Sequence, residues 1–402
     1  MADQLAAALG FAAAAAAPLA GVLGFTIWGK HWTGHPYMLN CFKGCVATIF
    51  FALFFIGFSV IAPLAGAGWE RGRFTWQVVG WLLLSSLLGI VIGDTCWLQA
   101  QQLLGTSSVV LIDALKPGLS AFFGFVFLHE KPTWGWLGAV LTWLAVSWVE
   151  YNKSAANEPA AEPDGTEMTG SFAASSARQP ALRNGDELAL NGSADSSAHE
   201  PVGHEKFEAT LSVYKRRGAG YVCAFLNVLF DSLGLVITKK NGKALHAWEI
   251  AGVRFGGASV LMLLSVGAAR LVAHLRPCPD AIARACGYVA CGTPIARAGG
   301  APQFYQWPVL DRRAIGWLVF AVFLTTFLAS LLSNIALFKI DLFFVSTLGS
   351  LSPIWALLIG SCRCCRGLVG GREQATWRDW LGAVLAIVGV VVLIWGSTAG
   401  QS

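Results

Sequence analysis

Charge is scarce in this sequence: 28 Lys and Arg and 23 Asp and Glu among 402 residues, 13% in all, where a water-soluble domain carries about 25%. That scarcity excludes a soluble globular protein. Of these charges, 17 crowd between Tyr151 and Arg217, so elsewhere the charged fraction falls to about 10%, as a chain embedded in lipid requires. The net charge is +5, yet no basic stretch interleaved with aromatics lies along one face, which removes nucleic acid as a partner. The 10 cysteines lack a framework spacing, and a small disulfide scaffold is excluded with them. No His-Glu-x-x-His, Gly-x-Ser-x-Gly or P-loop pattern occurs, so neither enzyme chemistry nor a cofactor is expected.

Apolar residues are abundant instead, 55% of the chain with a mean hydropathy of +0.59. A hydrocarbon core about 30 Å thick takes roughly 17 to 25 helical residues to cross, because only a helix or a closed barrel satisfies its own backbone there. Ten runs meet this need: Leu5 to Trp28, Leu39 to Leu64, Trp76 to Leu98, Ser108 to Leu128, Trp134 to Val149, Ala219 to Thr238, Ala247 to Leu271, Ile315 to Phe338, Phe343 to Ser361 and Trp380 to Trp395. Continuous apolar runs exclude the alternating strands of a barrel. The two shortest, the fifth and the tenth, carry Trp134, Trp148, Trp377, Trp380 and Trp395 at their ends, where indole rings sit at headgroup level. The first run is read as a membrane helix and not a leader, since Met1 to Gln4 holds no basic residue and the run exceeds a signal-peptide core.

The halves repeat one another. Trp136-Leu137-Gly138-Ala139-Val140-Leu141 recurs unchanged as Trp380-Leu381-Gly382-Ala383-Val384-Leu385. At one constant offset Ala100, Val109, Leu115, Pro117 and Gly124 fall on Ala336, Val345, Leu351, Pro353 and Gly360; at another, Leu23, Gly24, Ile27 and Lys30 fall on Leu233, Gly234, Ile237 and Lys240. Each copy holds five runs, an odd number, so the second copy crosses the bilayer in the opposite sense to the first. The expected fold is an all-α polytopic membrane protein of ten transmembrane helices built as two inverted five-helix repeats, residues 5–150 and 218–397, joined by a disordered linker over 151–217 and interrupted by a loop insertion at 276–313. Inverted repeats are a transporter arrangement, with the substrate held near the midplane and access alternating between the two sides.

Several of these residues carry a resemblance. The prolines in Leu111-Ile112-Asp113-Ala114-Leu115-Lys116-Pro117 and Ser350-Leu351-Ser352-Pro353, the acidic exits Leu128-His129-Glu130-Lys131 and Gly371-Arg372-Glu373, and the Leu-Gly-Ala starts of the fifth and tenth runs resemble the drug/metabolite transporter superfamily, specifically its EamA-like ten-helix branch. The resemblance implies a five-plus-five fold that carries small organic solutes. The long central loop and the inserted Cys362-Arg363-Cys364-Cys365-Arg366 segment depart from that pattern. The cysteine cluster reads as a palmitoylation site, a metal site or free thiols beside anchoring arginines. Cys41, Cys45, Cys96 and Cys223 fall inside runs, as small packing residues do.

Orientation has two readings. Odd-numbered loops hold most of the loop Lys and Arg, which places the central linker in the cytoplasm by the positive-inside rule, whereas the resemblance implies cytoplasmic termini. A glycan at Asn191, in the sequon Asn191-Gly192-Ser193, would eliminate termini outside the cytoplasm.

Polar groups in mid-run identify the site. A charge at a helix centre costs about 2.5 to 3.5 kcal/mol on insertion scales, so it faces the bundle interior and finds a partner. Asp113 and Lys116 are three apart on one face and able to neutralise each other, while Pro117 frees the carbonyl of Asp113 and Pro353 that of Gly349. Asn227 and Asp231 form a stripe on the sixth run, Thr326, Ser330 and Asn334 on the eighth, Ser346 and Ser350 on the ninth. Asp231 has no basic neighbour in its own run, so it requires Arg254, Lys116, a proton or a substrate cation. The expected substrate-binding residues are Asp113, Lys116, Pro117, Asn227, Asp231, Asn334, Ser350 and Pro353, with Asp94 and Arg254 as charged supports and an unpaired Asp231 as the carrier if protons couple transport. Lys43 and Glu249, nearer their run ends, are assigned to snorkelling or interfacial pairing.

The ninth run has no basic residue between Lys339 and Arg363, which disfavours phosphorylated sugars. A mixed-charge site suits amino acid-like zwitterions or neutral polar metabolites carried by a secondary transporter, in the plasma membrane or an endomembrane. A nucleotide-sugar carrier and a non-transporting scaffold packed through Gly138 and Gly382 are the alternatives.

Overall fold

The computed structural model describes residues 2–32, 34–64, 72, 74–104, 109, 112–131, 133–157, 203–275, 307–308, 310–361 and 376–399. Among these residues all regular structure is helical. We number the helices α1 (Ala2–His31), α2 (Pro36–Leu64), α3 (Trp76–Leu104), α4 (Lys116–Leu128), α5 (Gly135–Asn157), α6 (Gly203–Asn241), α7 (Ala247–Leu275), α8 (Arg312–Leu337), α9 (Leu342–Gly349), α10 (Ser352–Ser361) and α11 (Trp377–Ala399). Among the described residues eight segments are long and apolar enough to cross a membrane, α9 and α10 counting together as one. Lys116–Leu128 and Gly135–Val149 are shorter apolar helices. The chain is an integral, multi-pass membrane protein. Its outer surface is apolar, with Leu53, Ile61, Leu144, Val391 and many similar side chains exposed, the expected face toward lipid. Trp76, Trp134, Trp377 and Trp395, all at helix ends, are 93%, 72%, 71% and 72% exposed, in keeping with interfacial rings.

Three departures from the sequence expectations concern local geometry. The linker begins later and ends earlier than 151–217: α5 runs on to Asn157 and α6 starts at Gly203. Glu205, Lys206, Glu208, Ala209, Leu211 and Lys215 are strong helix formers, and helicity there needs no apolar stripe. The remainder of the linker with Asn191, the greater part of the 276–313 loop and the Cys362 cluster lie outside the described residues. The second departure is at the prolines, which do not kink continuous helices. The chain turns at Ala114–Leu115 and at Ser350–Leu351, and Pro117 and Pro353 are each the second residue of the helix that follows. Proline lacks an N–H and is tolerated in a first turn, where that donor has no helical partner anyway.

Both turns have the same bonds. The Leu115 N–H donates to Ile112 (2.9 Å) and that of Leu351 to Leu348 (3.1 Å); Leu115 then accepts from Leu119 and Leu351 from Trp355, both at 3.1 Å. The freed Gly349 carbonyl accepts from the Ser352 hydroxyl at 3.3 Å, and in the first turn the Trp143 indole donates to the neighbouring Ala114 carbonyl. The third departure is π-helical winding, over Leu87–Gly93 in α3 and at the corresponding place in α8, Phe323–Leu328.

Packing exchanges the first helix of each half. α1 lies on α8, α9 and α10, and α6 lies on α3 and α4. α2 packs on α7, α4 on α9 and α5 on α11. The α5–α11 pair touches backbone to backbone through glycine: a Cβ on Gly138 would lie 2.1 Å from the Leu393 nitrogen, and one on Gly396 2.6 Å from the Gly135 nitrogen. Thr142 seals the crossing with its hydroxyl on the carbonyls of Gly138 (2.9 Å) and Ala386 (3.4 Å).

Candidate functional site

The π-helical turn of α3 leads directly into the site. Its extra residue per turn shifts the helix face, and its glycines leave room: a Cβ on Gly89 would lie 3.2 Å from Nη2 of Arg254 and 3.7 Å from Oδ1 of Asp231, and one on Gly93 would lie 3.7 Å from Oδ1 of Asn227. Into that space α2 brings Lys43, α3 Asp94, the segment before α4 Asp113, α4 Lys116, α6 Asn227 and Asp231, and α7 Arg254. Three cations and three carboxylates therefore form a network without net charge.

The pairing differs from the sequence expectation. Lys116 forms its ion pair with Asp231 across the α4–α6 boundary, not with Asp113. The turn at Ala114–Leu115 interrupts the helix, and the three-residue spacing no longer places Asp113 and Lys116 on one helical face. Asp113 instead accepts a long hydrogen bond of 3.5 Å from the Asn227 amide. Asp231 thus meets Lys116, one of the partners the sequence allowed it, and is not left unpaired as a proton carrier would be. Lys43 also departs from its assignment: it is buried and ion-paired with Asp94, because its stem runs inward toward α3 and not along the lipid face. Glu249 does sit at a helix end, where it accepts from the His246 N–H (2.8 Å) in the manner of a capping box and from Gly72 (3.3 Å). The side chains of Asp94, Lys116 and Asp231 keep 31%, 25% and 23% of their surface exposed.

Asn334, Ser350 and Pro353 do not join this network. Asn334 lines a separate cavity of ≈ 580 Å³ at the face where α6 ends and α7 begins, together with Lys239, Lys243, His246, Lys339 and Asp341. Ser350 donates to its own helix at Thr347 (2.7 Å), and Pro353 is buried in the first turn of α10. Hydroxyls of the stripes act mostly as interhelical fasteners: Ser346 donates to Ser120 at 2.6 Å, and Ser85 reaches Gly234 and Thr238, both at 2.7 Å.

Sequence reasoning noted Glu130 only as part of an acidic exit and missed its role. His129 takes a left-handed conformation (φ 56) that ends α4 and turns Glu130 back under Gly124. A Cβ on Gly124 would lie 2.6 Å from the Glu130 carboxylate, so any larger residue would push that carboxylate from its place. Glu130 accepts from Lys239 of α6 at 2.7 Å and from the Leu342 N–H that opens α9, at 3.0 Å to each oxygen. Lys239 also donates to the Ile340 carbonyl at 2.7 Å. The α4, α6 and α9 ends are thereby latched at the mouth of the cavity.

Burial, and after it the nearby Glu130 charge, raises the Asp341 carboxyl above its ordinary 3.8, with Lys239 opposing. A raised folded-state value means stability that is full below 3.8 and is lost as the pH climbs through the raised value. The melting temperature in detergent should fall as the pH climbs above 3.8, and Asp341→Asn should remove that component. An unchanged pH profile in Asp341→Asn would sink this assignment.

Residues 6–151 match the EamA-like transporter family, which bears out the resemblance over the first half. No curated protein matches the chain. One protein of known crystal structure is 13% identical, is aligned over 98% of this chain and 98% of its own, and superposes with a TM-score of 0.54, a likeness of fold. The match covers residues 6–151, and the chain is similar there to a family of membrane transporters.

Proposed function

We propose that this EamA-like protein is a secondary transporter of small polar, amino acid-like solutes, crossing the membrane ten times as two inverted five-helix repeats. The observation that carries the reading is the charge-balanced group of Lys43, Asp94, Asp113, Lys116, Asp231 and Arg254 in an otherwise apolar bundle, with Lys43 and Arg254 buried and the other four half-buried. Charges in lipid are costly and persist where a function holds them. Because the network is neutral, it suits a zwitterion or a neutral polar metabolite better than a nucleotide sugar, whose phosphates require excess positive charge. Matched turns in the two halves, matched π-helical segments and the exchange of α1 and α6 support the repeat.

Alternating access then follows from two kinds of contact. The network joins α2, α3, α4, α6 and α7 near the middle, and the Glu130 latch closes one face. Opening that face breaks the latch; occupancy of the network by solute biases the choice of face. If protons couple the movement, Asp113 takes the part first expected of Asp231, because its carboxylate has the long amide contact and Asp231 has Lys116.

Counterflow in proteoliposomes loaded with amino acids, amines, sugars or nucleotide sugars tests the reading. One amino acid-like tracer should accumulate, and Asp113→Asn should abolish the signal. No counterflow across the panel from folded protein would favour the scaffold. Glu130→Gln should open the latched face: a cysteine placed at Asn334 should react several-fold faster with a water-soluble thiol reagent than in the parent, and an unchanged rate would remove the latch.

A further inference from the structure

The charges of the central network do not all find partners. Lys43 is taken by Asp94 and Lys116 by Asp231. Arg254 is left over among the cations, and Asp113, held by the Asn227 amide at 3.5 Å, among the carboxylates. Arg254 is only 8% exposed, its Nε has no hydrogen-bond partner, and among the described residues it forms no salt bridge. Asp231 and Asp94 are the carboxylates whose charge it feels, at longer range.

The surroundings hold this guanidinium in place without neutralising it. The Ser86 hydroxyl donates to the Arg254 carbonyl and ties α7 to the entry of the π-helical turn. Gly89, within that turn, leaves the space beside Nη2 that any side chain would fill. Gly234 of α6 packs against the same turn, where its Cβ would stand 3.3 Å from the Gly89 Cα, so the backbones of α3 and α6 form a close wall beside the cation. A buried guanidinium without a counter-anion is unfavourable. Its flat fork of N–H donors matches a carboxylate held by two parallel bonds, which a lysine cannot reproduce.

We propose that Arg254 is the specificity-determining receptor for a carboxylate on the transported solute. The solute's carboxylate completes the one unpaired cation, and a positively charged end would turn toward the exposed edges of Asp231 and Asp94. Carboxylate-bearing solutes are thereby selected over their amides and over the corresponding amines. The inference rests on the transport reading for its physiological meaning, but it makes its own claim about binding.

The test is ligand-induced thermal stabilisation of the purified full-length protein, read with matched probes: small, aliphatic and aromatic amino acids, the amide of each, and the decarboxylated amine of each. At least one acid should stabilise the protein, with its amide and amine at least about 30-fold weaker, since a buried charge-assisted pair is lost. Arg254→Lys keeps the charge and loses the fork, and should weaken the acid by a similar factor while leaving the amine unaffected. Equal binding of acid and amide, acid binding unchanged in Arg254→Lys, or no acid binding at all would overturn the proposal. If Arg254→Lys does not fold, the acid, amide and amine series on the parent protein decides alone. Acid-selective binding without counterflow would overturn transport and leave the receptor standing. Counterflow of an amine that ignores Arg254→Lys would do the reverse.

Discussion

Asp231→Asn is expected to abolish solute exchange and to lower the melting temperature of the protein in detergent. The substitution leaves Lys116 charged, in the bundle interior and without its ion-pair partner. Removing one member of a buried pair costs about 3 to 5 kcal/mol in fully dry sites. Here both side chains keep about a quarter of their surface exposed, so about 2 kcal/mol is the better expectation. Adding Lys116→Gln to Asp231→Asn removes the stranded charge, and the melting temperature should recover most of the loss. Exchange should not recover, because the network then lacks the cross-helix pair that a solute competes with. Exchange at the parent rate in Asp231→Asn would exclude this pair from the transport site. Failure of the double variant to regain stability would mean that Lys116 is not the stranded group.

The second large effect is expected at a residue without a side chain. Gly138→Ala places a Cβ 2.1 Å from the backbone nitrogen of Leu393 and 2.5 Å from the Gly389 carbonyl oxygen. No rotamer change relieves a clash with backbone, so α5 and α11 must separate along their length. Tight glycine crossings supply much of the association energy between helices in lipid, where no hydrophobic force drives them together. Overpacking of this kind costs about 3 kcal/mol, roughly 5 to 10 °C in melting temperature. Gly80→Ala is the matched control, since a Cβ there meets nothing within 4 Å. Gly382→Ala, at the corresponding position of the repeated hexapeptide, should be milder than Gly138→Ala, because its nearest obstacle is the side chain of Val149. Equal melting temperatures for Gly138→Ala and Gly80→Ala would contradict the close crossing.

The two halves of the site were unequally legible. Asp94, Asp113, Lys116, Asn227, Asp231 and Arg254 stood out because polar residues in apolar runs are conspicuous, and the structure gathers them around one π-helical turn. Asn334, Ser350 and Pro353 were selected by the same rule and lie elsewhere, since a polar stripe marks an inward face without saying what that face meets. Lys43 was misassigned because position along a run measures depth only approximately and says nothing of direction around the helix. Glu130 could not have been read at all: its donors, Lys239 and the Leu342 N–H, come from two other helices.

The sequence by itself determined that the described residues form apolar helices and that the chain is interrupted near Pro117 and Pro353. These are local matters: apolar length against bilayer thickness, a proline without an N–H, and a duplicated segment that breaks twice in the same way. Only the tertiary structure decided which charge meets which, pairing Lys116 with Asp231 and Lys43 with Asp94 and leaving Arg254 without a salt bridge among the described residues. Ion pairing depends on how each helix is rotated and how closely neighbours approach. Glycine contacts and a single extra residue in a helical turn set both, and neither leaves a pattern along the chain.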